Sequence, residues 1–129
     1  MKMFLMIAVT LVSGSVFAAN DSIKICNPDN KSQSFEITVQ DGMLNSVNAE
    51  DGKPMASNSA KIEKVLELTQ MDLLRIYSDN NLKVALVSGT AYSVEDGALA
   101  IVTDKNGVKY MVLIMPPMMK VSGNSDSCK

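Results

Sequence analysis

The chain contains no histidine and no tryptophan, and only two of its 129 residues are cysteines. Without histidine, the protein cannot build a Ser-His-Asp triad, a Cys-His pair, or a zinc or haem site that depends on imidazole ligands. Positive charge is also limited, because 12 Lys+Arg face 14 Asp+Glu and leave a formal net charge of −2. This balance provides no general basic surface, so we expect no nucleic acid among the partners.

One short hydrophobic run near the start of the chain has the layout of an export signal. Residues 4–12 (FLMIAVTLV) follow Lys2 and precede Val16-Phe17-Ala18, a match to a signal-peptidase site. The run is shorter than the ~20 residues that a helix needs to span a bilayer. We therefore expect residues 1–18 to be a cleaved signal peptide and residues 19–129 to form a single β-domain. The mature protein is expected to be periplasmic or secreted, with no stable membrane anchor.

The two cysteines, Cys26 and Cys128, lie near the two ends of the predicted mature chain. Because an exported chain meets an oxidising compartment, we expect them to form a single structural disulfide. The chain-entropy model assigns about 4.7 kcal/mol to a bond that closes a loop of ~100 residues. The alternative is a redox-active or metal-binding thiol pair, but the sequence has no C-x-x-C motif to support it.

Short alternating segments separated by turn residues predict an all-β meander. The clearest hairpin dipeptides are Asp41-Gly42 and Asn106-Gly107, and the latter predicts a type I′ turn. Pro116-Pro117 is expected to end the most apolar strand, and Glu50 to Ser59 are expected to form a long loop. The pattern gives about 8–10 short strands, which need a small antiparallel β-barrel or a β-sandwich to manage their edges.

Residues 60–77 fit two secondary structures. As a helix, this segment gathers apolar side chains such as Ile62 and Ile76 on one face, and Ser59 could cap its start. As strands, Leu74 and Ile76 form one arm of a hairpin whose second arm is residues 82–86. We favour two strands, and we confine any helix to residues 60–70.

Methionine is the one compositional excess, with ten in the chain and four clustered near its end. Three interpretations stand side by side, namely adaptable core packing, an exposed contact surface, and a thioether site for Cu(I). The predicted interaction surface consists of Pro116, Pro117, Met118, Met119 and Lys120. The alternative copper site consists of Met111, Met115, Met118 and Met119.

No motif in the sequence points to catalysis. Ser88-Gly89-Thr90 lacks the G-x-S-x-G context of a nucleophile elbow, and most carboxylates lie at turns, where they serve the backbone. We therefore expect a non-enzymatic exported domain, with no catalytic residue and no cofactor, that binds a protein partner or a small ligand. The alternatives are a periplasmic Cu(I)-binding protein that uses the methionine cluster and a hydrolase with an unrecognised Ser-Lys dyad.

Overall fold

The computed structural model describes residues 20–129, and the predicted signal peptide lies outside this range. The described part contains nine β-strands, one α-helix and a short 3-10 helix. The strands are β1 (Asp21–Asn27), β2 (Asn30–Gln40), β3 (Met43–Glu50), β4 (Lys53–Lys61), β5 (Lys64–Glu67), β6 (Leu86–Val94), β7 (Gly97–Asp104), β8 (Lys109–Met115) and β9 (Met118–Asn124). The helix α1 (Gln70–Asp79) lies between β5 and β6, and the 3-10 helix (Ser125–Cys128) follows β9.

The strands form two antiparallel sheets, and within each sheet every strand pairs with its neighbour in sequence. One sheet has four strands in the order β1-β2-β3-β4, and the other has five in the order β9-β8-β7-β6-β5. The prediction of an all-β meander is therefore confirmed. The two sheets do not join into a closed barrel over residues 20–129, and their arrangement is sandwich-like.

Two clusters of apolar side chains hold the layers together. The first lies between the sheets and comprises Ile23, Ile37, Val39, Leu44, Ile62, Tyr92, Ile101 and Met111. The second lies between the five-stranded sheet and α1 and comprises Leu73, Ile76, Leu86, Ala91, Ala100, Val102 and Val112. The five-stranded sheet is thus covered on both faces, which explains why neighbours such as Met111 and Val112 are both buried.

The prediction for residues 60–77 was right for its first strand, which is β5 (Lys64–Glu67), and wrong for its second. The helix begins at Gln70 rather than lying within residues 60–70, and Leu74 and Ile76 belong to it instead of to a hairpin. A capping box sets its start, because the Thr69 hydroxyl accepts from the Asp72 amide at 3.2 Å and the Thr69 amide donates to the Asp72 carboxylate at 3.0 Å.

The predicted loop from Glu50 to Ser59 was also wrong, because most of it is β4. Asp51 and Gly52 have φ values of 54° and 78°, which a two-residue type I′ hairpin requires. Every side chain of β4 except Ala60 is exposed. Because neither face of β4 is covered by the described part of the chain, its sequence does not have to alternate apolar with polar residues. That alternation is the signal from which strands are predicted.

The turn at Asn106-Gly107 differs from the predicted type I′ geometry, because of these two residues only Gly107 has a positive φ. The carboxylate of the buried Asp104 shapes this turn instead. It accepts from the amides of Asn106 and Val108 at 2.8 and 3.0 Å. By contrast, Asp41 and Gly42 have positive φ values of 55° and 75°, as their hairpin prediction requires.

Candidate functional site

The predicted interaction surface lies at the hairpin between β8 and β9. Pro116 and Pro117 form its two-residue connection, with Met115 directly opposite Met118. Met118 is 55% exposed, whereas Met119 is only partly exposed and packs against the second apolar cluster. The Met118 side chain is therefore accessible to a partner, whereas the Met119 side chain mainly contributes to packing within the protein.

Helix α1 supplies a second wall to this surface and turns it into a groove. We name this feature the α1–β9 groove; it has a volume of about 460 Å³. Its lining residues are Arg75, Asp79, Asn80, Pro117, Met118, Met119 and Lys120. Sequence reasoning missed Arg75, Asp79 and Asn80 because it assigned residues 74–77 to a strand. The signal that could have found them is the Thr69-x-x-Asp72 capping box.

The side chain of Asn80 fixes the floor of the α1–β9 groove. Its amide nitrogen donates to the carbonyls of Ile76 and Met119, both at 2.9 Å, and its oxygen accepts from the Val121 amide at 3.0 Å. Met115 and Met118 flank a two-residue turn, so their main-chain groups bond to each other, and such bonded pairs alternate along the ladder. The main-chain groups of Met119 and Val121 therefore point away from β8, towards the outer edge of the sheet. The carboxamide therefore takes the place of a neighbouring strand at the edge of β9.

Charged groups surround the groove without forming a charge cluster of one sign. The Arg75 guanidinium donates to the Pro117 carbonyl and lies 3.7 Å from the Asp79 carboxylate. Both partners of this ion pair are more than half exposed, so the pair contributes little to stability. Leu74, which precedes Arg75 on α1, is also exposed but does not line the groove.

The register of β8 and β9 divides the four clustered methionines between two faces. Met115 and Met118 are cross-strand partners, and Met111 shares their face but is buried in the first apolar cluster. Met119 is opposite Ile114 and points to the other face, towards α1. The register thus divides the predicted copper ligands between two faces, and the copper site stays a prediction.

Cys26 and Cys128 form the predicted disulfide. The bond fastens the C-terminal 3-10 helix to β1, and the Cys26 amide adds a 2.8 Å hydrogen bond to the Ser127 hydroxyl. Cys26 is almost completely buried under this helix. The prediction of a structural disulfide is thus confirmed.

A second polar cluster links β1 to the five-stranded sheet. The Tyr92 hydroxyl donates to the Asp21 carboxylate at 3.0 Å, and the Lys109 ammonium approaches the same carboxylate at 3.3 Å. Burial raises the pKa of Tyr92 well above its ordinary value, and the negative charge of Asp21 raises it further. Because each of these groups has a partner within the fold, we interpret the cluster as an anchor for β1 rather than a reactive site.

No protein-family model, curated protein or solved structure matches this chain. Within residues 20–129, α1 has ten residues, and no helix is long and apolar enough to cross a membrane. In the same range, no three histidine, cysteine or acidic residues are grouped as metal ligands would be. The fold and the groove therefore define the protein only by class, as a small disulfide-linked, sandwich-like β-domain with one covering helix.

Proposed function

We propose that this protein is an exported, non-enzymatic binding module that contacts a protein partner through the α1–β9 groove. The observation that carries the proposal is the exposure of Met118 beside a groove whose floor is held by Asn80. Flexible, polarisable methionine side chains suit contact surfaces. A floor already fixed by hydrogen bonds lowers the ordering cost of association.

The shape of the groove favours a protein partner over a small ligand. Small-molecule sites usually enclose most of the ligand surface in an apolar cavity. The space between the two sheets is instead filled by the first apolar cluster. The α1–β9 groove is open and mixes apolar with charged lining residues, so it suits an apolar side chain of a partner inserted between α1 and β9.

The proposal of export is supported by the disulfide between Cys26 and Cys128, because such bonds persist in oxidising compartments. The predicted signal segment supplies the second argument. Purification of the protein from the producing cells and sequencing of its N-terminus test this part. Export with processing is expected to give a chain that begins at Ala19.

Site-specific photo-crosslinking tests the proposed contact. A benzophenone side chain replaces Met118 in the producing cells, and a matched control replaces Leu66, which is 52% exposed on the opposite edge of the same sheet. We expect a discrete adduct from position 118 that is weak or absent from position 66. Equal adducts from both positions, or none from position 118, would remove the groove as the contact site.

A further inference from the structure

The outer edge of β4 differs from the three other sheet edges. At β9, Asn80 occupies outward main-chain groups, and at β1 the Cys26 amide bonds to Ser127 in the covering 3-10 helix. The β5 edge has only four residues. By contrast, β4 has nine residues, and no strand within residues 20–129 pairs with its outer edge. A long uncovered edge of this kind is a template for pairing with another chain.

The hydrogen-bond pattern identifies which groups β4 presents to solvent. The Ile62 amide donates to the Gly42 carbonyl at 2.9 Å, and the register places these two residues directly opposite each other. Hydrogen-bonded pairs alternate along an antiparallel ladder, so the main-chain groups of Asn58 and Ala60 face β3. Those of Ser57 and Ser59 face outward. The Ser59 amide confirms this orientation, since it donates to the side chain of Asn58 at 2.9 Å.

We propose that two copies of this chain associate by antiparallel pairing of their β4 edges about a two-fold axis at Asn58. The segment from Ala56 to Ala60 reads Ala-Ser-Asn-Ser-Ala in both directions. A two-fold axis at its centre therefore places Ser57 opposite Ser59 of the second copy, and Ala56 opposite Ala60. Closed two-fold association requires a self-complementary surface of this kind.

Charge and backbone chemistry fit the same register. Lys61 comes opposite Met55 of the second copy, so no lysine faces another lysine across the pair. Pro54 lacks an amide proton and Met55 lies at a bulge, so the ladder ends there. On pairing, the Ser59 amide exchanges its bond to the Asn58 side chain for a bond to the Ser57 carbonyl of the second copy.

The resulting assembly is one continuous sheet built from two four-stranded sheets. The contact consists mainly of main-chain bonds and small side chains, so we expect a reversible, concentration-dependent dimer. This inference does not depend on the proposed function, because the α1–β9 groove belongs to the other sheet. Each half of the dimer keeps its own groove.

Sedimentation velocity of the purified protein tests the proposal with a matched pair of substitutions. Ser57→Pro removes an outward amide proton and spares the bonds between β3 and β4, whereas Ser57→Thr keeps that proton. We expect the wild type and Ser57→Thr to shift from monomer to dimer between about 10 µM and about 1 mM, and Ser57→Pro to stay monomeric. A wild type that remains monomeric throughout, or a Ser57→Pro variant that dimerises like the wild type, overturns the proposal.

Cysteine cross-linking provides a second test that does not require the proline variant to fold. At the two-fold axis, Asn58 and its counterpart form a non-hydrogen-bonded pair with Cα atoms about 4.5 Å apart, within the range that a disulfide spans. We expect Asn58→Cys to give an intermolecular disulfide dimer at least ten times faster than Lys105→Cys, an exposed control in the turn after β7. Equal rates, or adducts of Asn58→Cys with a different protein in cell extract, overturn the proposal.

Discussion

The four-stranded and five-stranded sheets share one meander topology and differ in what covers them. The five-stranded sheet is packed on both faces, and three consecutive residues of β7, namely Ala100, Ile101 and Val102, are buried. The four-stranded sheet has an apolar inner face, but its last strand, β4, buries none of its side chains. The two sheets therefore contribute unequally to the free energy of folding.

One sheet therefore provides most of the apolar burial that stabilises the domain, and the other provides an edge that can contact another chain. Apolar burial concentrates in the layers around the five-stranded sheet, which hold α1 and the floor of the α1–β9 groove in place. The uncovered edge of β4 adds little burial and is free to pair with another chain.

Removal of the disulfide is expected to have the largest effect, because it releases the chain end from β1. The double substitution Cys26→Ser and Cys128→Ser should lower the free energy of unfolding by about 2–5 kcal/mol, since it restores conformational freedom to the unfolded chain. Urea denaturation of the wild type and the variant measures the change. A loss below about 1 kcal/mol would contradict the view that this bond stabilises the fold by fastening the chain end to β1.

A pair of truncations compares the core beneath α1 with the surface of β4. Ile76 is fully buried between α1 and the five-stranded sheet, and Ile76→Ala should cost about 3–4 kcal/mol through lost contacts and a cavity. Met55 is exposed on β4, and Met55→Ala should change stability by less than about 0.5 kcal/mol. Both values come from the same denaturation experiment. Similar losses from the two variants would show that β4 is packed after all.

The loss of the Asn80 carboxamide should weaken the edge of β9. Asn80→Ala leaves the Met119 carbonyl and the Val121 amide without their bonds, which should cost about 2 kcal/mol. Native-state hydrogen exchange should also show faster exchange at the Val121 amide. Asn48→Ala, at an exposed position on β3, serves as the control, and unchanged Val121 exchange in Asn80→Ala would contradict the assigned role.

Sequence reasoning predicted the strands whose apolar residues alternate and missed the elements without that signal. β2 was predicted because Phe35, Ile37 and Val39 alternate before an Asp-Gly turn. α1 was missed because Leu74 and Ile76, two residues apart, imitate the same alternation, although Leu74 is exposed and Ile76 is buried. β4 was missed because an uncovered strand needs no apolar face.

Of the two walls of the α1–β9 groove, only the one formed by residues 116–120 could be predicted from the sequence. Pro116 to Lys120 stand out in the sequence because they combine a rigid dipeptide with two methionines. Arg75 and Asn80 reach the same groove from about 40 residues away in sequence. A single sequence carries no local signal for such a tertiary contact, because the spacing of residues reports only on neighbours within one element.

The anchor between Tyr92 and Asp21 predicts a dependence of stability on alkaline pH. The pKa of Tyr92 is raised in the folded state, so the folded protein retains a proton that the unfolded chain releases. This contribution is fully present below about pH 10, the ordinary tyrosine value, and is lost as the pH rises further. Tyr92→Phe should cost about 1–2 kcal/mol at pH 7 and flatten the profile above pH 10. Equal slopes for wild type and variant above pH 10, measured by urea denaturation, would exclude this role.

The smallest expected change in the free energy of unfolding comes from a proline at the outer edge of β4, which has no partner within residues 20–129. A proline at the outer edge of β9, where Asn80 bonds to the main chain, provides the comparison. Ser57 and Val121 both turn their amides away from their paired strands, but only the Val121 amide has a partner, the Asn80 oxygen. At low protein concentration, Ser57→Pro should therefore change the free energy of unfolding by less than about 0.5 kcal/mol, whereas Val121→Pro should cost about 2 kcal/mol or more. Val121→Ala corrects for the lost side-chain packing. Equal losses of unfolding free energy for the two prolines, after this correction, would mean that the Ser57 amide is hydrogen-bonded as the Val121 amide is. The two sheets would then not differ at their outer edges.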